Sequence, residues 1–200
     1  MTLADDTQAA IEEATTAIEA GEAVVYPTET VYGLGADATN PEAVDRVFEI
    51  KDRSSEKPVS VAFADRETAQ QYTDPTDREL AFIKQFLPGP VTVVVDRGPT
   101  LPDALTAGRS RVGVRIPDNE TALAICRAAG PITATSANRS GEPSITLPAD
   151  LSSSVREAVG AIIDTGAAPG TESTVVDVEA GTVHRRGALA DEIERWLESH

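Results

Sequence analysis

Histidine, cysteine, methionine, tryptophan and lysine are all scarce in this 200-residue sequence, and each scarcity removes a class of chemistry. One cysteine, Cys126, excludes an intramolecular disulfide and a thiolate zinc cluster. It falls in Leu123-Ala124-Ile125-Cys126 on an expected helix, which assigns it to packing rather than to nucleophilic work. The two histidines are His184 and His200, which argues against a histidine-dependent triad and against a multi-histidine metal site. No apolar run approaches the ~18 residues of a membrane span, and the opening MTLADDTQAA is neither basic nor apolar. Membrane insertion and secretion are therefore not expected, and a cytoplasmic location is. Gly33-Leu34-Gly35 is not completed to a dinucleotide fingerprint, because position 38 is Ala, and no phosphate-binding P-loop occurs. Such a chain works by positioning and charge stabilisation, not by covalent catalysis.

What is present in excess is acid. Asp and Glu number 33 against 17 Lys and Arg, for a net charge of −16 and a pI near 4.4. Three of the cations are lysines (Lys51, Lys57, Lys84), and none precedes Arg46. Two explanations stand side by side: a cytosolic protein adapted to very high salt, where charge repulsion is screened, or an acidic protein of ordinary surroundings. Under either, broad attraction to a nucleic-acid backbone is disfavoured, so a bound anion needs a local cluster of cations. A hydrophobic content of 40% supports a real core, and aromatics at 4% leave that core to Ala, Val, Ile and Leu. The length suits one domain spanning residues 1–200.

Periodicity predicts interleaved helices and strands. Thr7 to Ala20 has Ile11, Ala14 and Ile18 at helical spacing; Ala23 to Tyr26 is a short apolar strand. Asn40-Pro41 opens a helix with Val44, Val47 and Phe48 on one face and Lys51 at its end. Strands are expected at Pro58 to Phe63, Val91 to Val95, Val112 to Ile116 and Ile132 to Ala134, and again at Ala161 to Asp164, Thr174 to Val178 and Thr182 to Arg185. Asp74-Pro75 is expected to cap a helix carrying Leu80, Ile83 and Phe86, and another helix starts near Asn119. A last one, Ala188 to Ser199, would present Leu189, Ile193, Trp196 and Leu197. The interleaving argues for an α/β protein, and the hairpin-like pair around Glu179-Ala180-Gly181 for a mixed sheet. Arg139 to Pro148 reads as a mobile loop.

Four segments place hydroxyls, amides and cations beyond these strands: Pro27 to Leu34, Lys51-Asp52-Arg53, Thr135 to Gly141, and Gly170 to Thr174 with Arg185-Arg186-Gly187. Strand-end loops of α/β proteins are where ligands usually bind, and these groups suit a triphosphate or a carboxylate. Lys51, Arg53, Arg109, Arg111 and Arg115 are expected to converge on one pocket.

These segments carry a resemblance. Pro27-Thr28-Glu29-Thr30-Val31-Tyr32-Gly33-Leu34, Lys51-x-Arg53, Leu87-Pro88-Gly89-Pro90-x-Thr92, Val114-Arg115-x-Pro117, Thr135-Ser136-Ala137-Asn138-x-Ser140-Gly141, Ser173-Thr174-Val175-Val176-Asp177 and Arg186-x-Ala188 occur in the order seen in the YrdC-like family, which contains the threonylcarbamoyl-AMP synthases. The match runs from about Ile11 to Leu189 and resembles the form without an extra C-terminal domain. The resemblance implies a twisted open mixed α/β sheet flanked by helices, the YrdC-like (DHBP synthase-like) fold, with a concave cationic cavity. It implies a nucleotidyltransferase that takes L-threonine, bicarbonate or CO2, and ATP with Mg2+, and releases threonylcarbamoyl-AMP and pyrophosphate. A transferase complex would then pass the group to tRNA.

By the same resemblance, Lys51, Arg53, Ser136 and Asn138 are the expected catalytic set. Ser55, Arg111, Ser173 and Arg186 join them on ATP; Thr28, Ser60, Arg115, Thr135 and Ser173 would hold threonine, with Arg115 bidentate on its carboxylate. No resident metal ligands are assigned. Two departures stand out: the usual K-G-R-P reads Lys51-Asp52-Arg53-Ser54, and a frequent histidine is replaced by Phe63, leaving Ser60 as a substitute. Asp52 is then either a metal aid or a solvated surface acid. Rival readings are a module for double-stranded RNA or tRNA, against which the charge weighs, and a nucleotide-binding paralogue of changed substrate.

Overall fold

A computed structural model describes residues 4–200. The first helix, α1 (Asp5–Glu19), buries Ile11, Ala14, Ala17 and Ile18, as its spacing requires. β1 (Val24–Tyr26) pairs antiparallel with β2 (Gly33–Gly35), so part of the expected Pro27 to Leu34 loop is strand. Glycine serves there because the Tyr26 ring lies against the strand: a Cβ on Gly33 would come within 2.7 Å of it. α2 (Pro41–Lys51) starts as its sequence predicts, with Pro41 in the first turn and the Asn40 side chain accepting from the Glu42 amide.

β3 (Ser60–Ala62) is followed by α3 (Arg66–Tyr72) and the two-residue β4 (Thr73–Asp74). α4 (Asp77–Phe86) is capped by Thr76, not by Asp74-Pro75, through a reciprocal box with Glu79. β5 (Val91–Arg97), β6 (Arg111–Arg115), α5 (Glu120–Ala129) and β7 (Ile132–Ser136) follow. The chain then runs through α6 (Ser153–Ala158), β8 (Ala161–Ile162), β9 (Thr174–Asp177), β10 (Thr182–Arg185) and α7 (Ala190–Ser199). Leu189 does not belong to the buried face of α7. It adopts φ 63° at the N-cap and is exposed, whereas Ile193 and Trp196 are buried.

The strands form one mixed sheet of order β10-β9-β5-β6-β3-β7-β2-β1-β8, with β4 paired to β5. The pairs β1–β8, β3–β6 and β5–β9 are parallel and the rest antiparallel, with β9 and β10 as the expected hairpin. One core packs α4 and α7 against β5, β6 and β9 through Phe82, Phe86, Val93, Val114, Val176 and Trp196. A second joins α1 and α5 to β1 and β7, with Cys126 inside it. A third covers β1 and β2 with residues of α2 and α6.

Alternation along the strands then makes the cavity. On β6, Val112 and Val114 point into the core, while Arg111, Gly113 and Arg115 face the opposite side. On β5, Val93 and Val95 are core residues and Thr92 and Val94 face the cavity; on β9, Val176 is core and Val175 and Asp177 face it. The cavity floor is the helix-free side of these strands. Glycine at 113 keeps it open, since a Cβ there would come within 2.4 Å of Ser60 Oγ.

Candidate active site

Above that floor lies a cavity of about 520 Å3, within the usual range for small-molecule sites. It gathers residues of all four predicted segments: Thr28, Arg53, Ser60, Arg111, Arg115, Thr135, Ser136 and Ser173 line it, together with Arg109. Tyr26, Thr30, Ser144, Glu172, Asp177, His184 and Arg185 line it as well. Tyr26, at the end of a buried strand, and His184, on an exposed edge strand, gave no sequence signal of this role; Thr30 lay within a quoted motif. The segment from Arg139 to Pro148 is tied to the site by Tyr32 N donating to Ile145 O (3.1 Å) and Ala168 N donating to Thr146 O (2.8 Å).

Not every expected residue reaches the cavity. Arg186 lies outside it, exposed and paired with Asp191 and Glu194. Arg185 stands in its place, with Nε donating to Ser173 O (3.0 Å) and Nη2 to Ser173 Oγ (2.7 Å). The cause is a register irregularity between Val183 and Arg185 in the β9–β10 pairing, so that both His184 and Arg185 face inward. Asn138 lines a neighbouring recess with Glu142 and Ser144, and its amide nitrogen donates to Arg139 O and Glu142 O. Ser55 is exposed in the turn after α2 and is not part of the lining. Phe63 is fully buried in the core. Asp52 is a solvated surface acid whose carboxylate accepts from Arg139 Nη2 (2.8 Å).

Lys51 is buried beneath the lining rather than part of it. Its Nζ donates to Ser136 O and to Asn138 O, and its own carbonyl accepts from Ser140 N (2.7 Å). The lysine thus fixes the first residues of the loop that follows β7.

Hydrogen-bond accounting also changes the role open to Thr28. Its hydroxyl donates to Val31 O (2.6 Å), so the 2.8 Å contact with Thr30 Oγ1 must run from Thr30 to Thr28. Thr28 Oγ1 further accepts from Thr30 N (3.1 Å). With its one proton and two lone pairs engaged, this hydroxyl shapes the loop and has no capacity left for a ligand. Thr135 and Ser60 line the cavity without such internal bonds among the described residues.

The arginines differ sharply in their compensation. Arg111 pairs with Glu79 (2.7 Å), Asp177 (3.2 Å) and Asp96 (3.3 Å), and Nη2 also donates to Val94 O (2.6 Å). Burial disfavours its charge, but the hydrogen bond with Glu79 and the charges of Asp177, Glu79 and Asp96 outweigh that and raise its pKa. Arg115 pairs with Glu29 (2.9 Å). Among the described residues Arg53 and Arg109 have no carboxylate partner, and Arg185 has Glu172 at 3.8 Å. Burial lowers the pKa of Lys51 to about 8, and the charge of Arg53 adds to the effect. Arg53 is lowered by burial and then by Arg185; Arg185 is lowered by burial and by Arg115, with Glu172 opposing. Lys51, Arg53 and Arg185 therefore form a chain of mutual repulsion beside and beneath the cavity, with Arg115 next to Arg185, and an anion would relieve it.

An open mixed α/β sheet whose one face and adjoining loops line an arginine-rich cavity defines the class. Within that class the family model Sua5/YciO/YrdC, described as "Telomere recombination", matches residues 16–187. The chain belongs to this family. It is 40% identical over 173 residues to a protein of Bacillus subtilis named threonylcarbamoyl-AMP synthase, covering 83% of this chain and 49% of that one. A threonylcarbamoyl-AMP synthase of Photobacterium profundum is 32% identical over 183 residues, covering 88% and 98%. The crystal structure of Pyrococcus abyssi Sua5 complexed with L-threonine superposes with a TM-score of 0.84 at 37% identity, covering 92% of this chain and 56% of that one. The chain spans about half the length of the Bacillus subtilis relative and of a similar one from Pyrococcus abyssi.

Proposed function

We propose that this protein is an L-threonylcarbamoyl-AMP synthase, a nucleotidyltransferase working on L-threonine, bicarbonate or CO2, and ATP. The observation that carries the reading is a cavity lined by Arg53, Arg109, Arg115 and Arg185, of which Arg53 and Arg109 have no carboxylate partner among the described residues, together with the hydroxyls of Thr135 and Ser60 and with Lys51 buried beneath. In the reaction the threonine amine adds to CO2 and loses a proton to give the carbamate. A carbamate oxygen then attacks the α-phosphorus of ATP, forming the mixed anhydride as the bond to pyrophosphate breaks.

Arg53 and Arg185 suit the polyphosphate, where they would offset charge developing on the leaving group. Lys51 holds the end of β7 that carries Ser136, whose hydroxyl would orient a phosphate. Thr135 and Ser60 suit the small hydroxyl-bearing amino acid, and Arg115 its carboxylate. Among the described residues no group of three or more His, Cys, Asp or Glu could hold a metal ion. The cavity offers mainly hydroxyls, with Glu172 and Asp177 as its carboxylates. This donor set fits Mg2+ arriving on the triphosphate rather than a resident metal; bound so, it would neutralise phosphate charge.

The product's labile acyl phosphate bond calls for a transferase complex that moves the threonylcarbamoyl group to tRNA. We also assign the net charge of −16 to life in a salt-rich cytoplasm. The deciding assay follows pyrophosphate release with ATP, L-threonine and bicarbonate in high KCl. Release that depends on threonine is expected; release indifferent to threonine, or none at all, contradicts the reading.

A further inference from the structure

We propose that Glu29 is a specificity-determining positioning residue, making the amino-acid end of the cavity selective for a zwitterion over a simple carboxylate. The inference rests on the proposed function and names what selects the substrate there.

Arg115 Nη2 donates to Glu29 Oε1 at 2.9 Å and to Thr30 Oγ1 at 2.8 Å. Both hydrogens of that nitrogen are thereby engaged. A guanidinium offers a bidentate fork along two edges, Nη1 with Nη2 or Nε with Nη2, and each edge needs an Nη2 hydrogen. As long as Glu29 is in place, neither fork is open. The simple expectation of a bidentate Arg115 on a substrate carboxylate gives way to single bonding from Nη1, since Nε is buried and without a partner.

The pairing has an electrostatic consequence as well. Both side chains are largely buried, at 12% and 14% exposure, so solvent screens the pair weakly and Glu29 cancels the charge of Arg115 locally. A polyanion is drawn to Arg53, which has no carboxylate partner among the described residues, rather than to Arg115. A ligand carrying both an ammonium and a carboxylate meets no net charge mismatch at the Arg115–Glu29 pair, whereas a carboxylate without the ammonium finds no surplus charge on that pair. Glu29 itself does not line the cavity, and its second oxygen, Oε2, is buried without a partner. Its influence is therefore exerted through Arg115.

The test compares affinities of the full chain for L-threonine and for 3-hydroxybutyrate, which lacks the ammonium, by titration calorimetry at one fixed salt concentration. Glu29→Gln keeps an acceptor for Arg115 Nη2 but removes the negative charge. The ratio of threonine to 3-hydroxybutyrate affinity is expected to fall by about tenfold or more. Arg115→Gln leaves Glu29 uncompensated and is expected to move the ratio the other way by a similar factor. It serves as an independent arm if Glu29→Gln does not fold. Ratios within about twofold of the unaltered protein in the variants that fold would overturn the inference while leaving the proposed function intact. An unaltered protein that binds no threonine removes both.

Discussion

Arg53 and Arg111 line the same cavity, yet they belong to different kinds of structure. Arg111 is held by three carboxylates, one of them the fully buried Glu79 that also caps α4. Arg53 bonds to the carbonyls of Lys57 and Pro58 and sits beside other cations. The first arginine joins β6 to α4, β5 and β9; the second is a charge kept without a counter-charge. In an acid-rich chain a cation needs no help to find a carboxylate, so one left unpaired in a cavity is the better sign of an anionic ligand.

The comparison can be broken most forcefully at Arg111. Arg111→Ala strands the buried Glu79 carboxylate, and unfolding experiments should show a loss of about 3–5 kcal/mol. A loss below about 1 kcal/mol would mean that Arg111 is as unencumbered as Arg53. Conversely, Arg53→Ala should lower turnover by about 10²–10³-fold, as removal of one charge-stabilising donor typically does, with stability changed by no more than about 1 kcal/mol. A smaller effect follows from Lys51. Its pKa is depressed from 10.5 to about 8, so between those values the unfolded chain binds more protons and stability rises with pH. The unaltered protein should gain on Lys51→Met by about 1–3 kcal/mol across that window, in paired denaturant titrations. Cys126, pushed up by burial to about 12, acts with the opposite sign, and the paired difference removes its contribution. A flat difference would show that the ammonium is no less favourable in the fold than in water.

Much of this arrangement is written in local pattern. Asn40-Pro41 opens α2 as capping chemistry demands, and Arg111-Val112-Gly113-Val114-Arg115 alternates charge and core residue so regularly that both arginines and the floor glycine fall on one face. Other parts depend on events that no short window reveals. The bulge in β10 shifts parity between Val183 and Arg185, exchanging Arg186 for Arg185 at the site. α3 and α6 are seven and six residues long and each buries one residue, Ala69 or Val155, too little for a periodic signal. The cap at Thr76 was legible in Thr76-Asp77-Arg78-Glu79 once the capping box is sought. The saturation of the Thr28 hydroxyl and the capture of Arg115 by Glu29 depend on three-dimensional hydrogen-bond geometry, and residue types alone do not reveal them.

Arg185 and Arg186 give the most direct test, because they are adjacent in sequence and alike in chemistry and differ in surroundings. ATP affinity of Arg185→Gln and of Arg186→Gln should be measured side by side by titration calorimetry. If the cavity-lining cations hold the polyanion, Arg185→Gln weakens binding by about tenfold or more, since Arg185 has only Glu172 at 3.8 Å as a counter-charge, while Arg186→Gln, at a residue already paired with Asp191 and Glu194 at the surface, changes it by less than about twofold. Equal losses, or a larger loss at Arg186, would contradict the account.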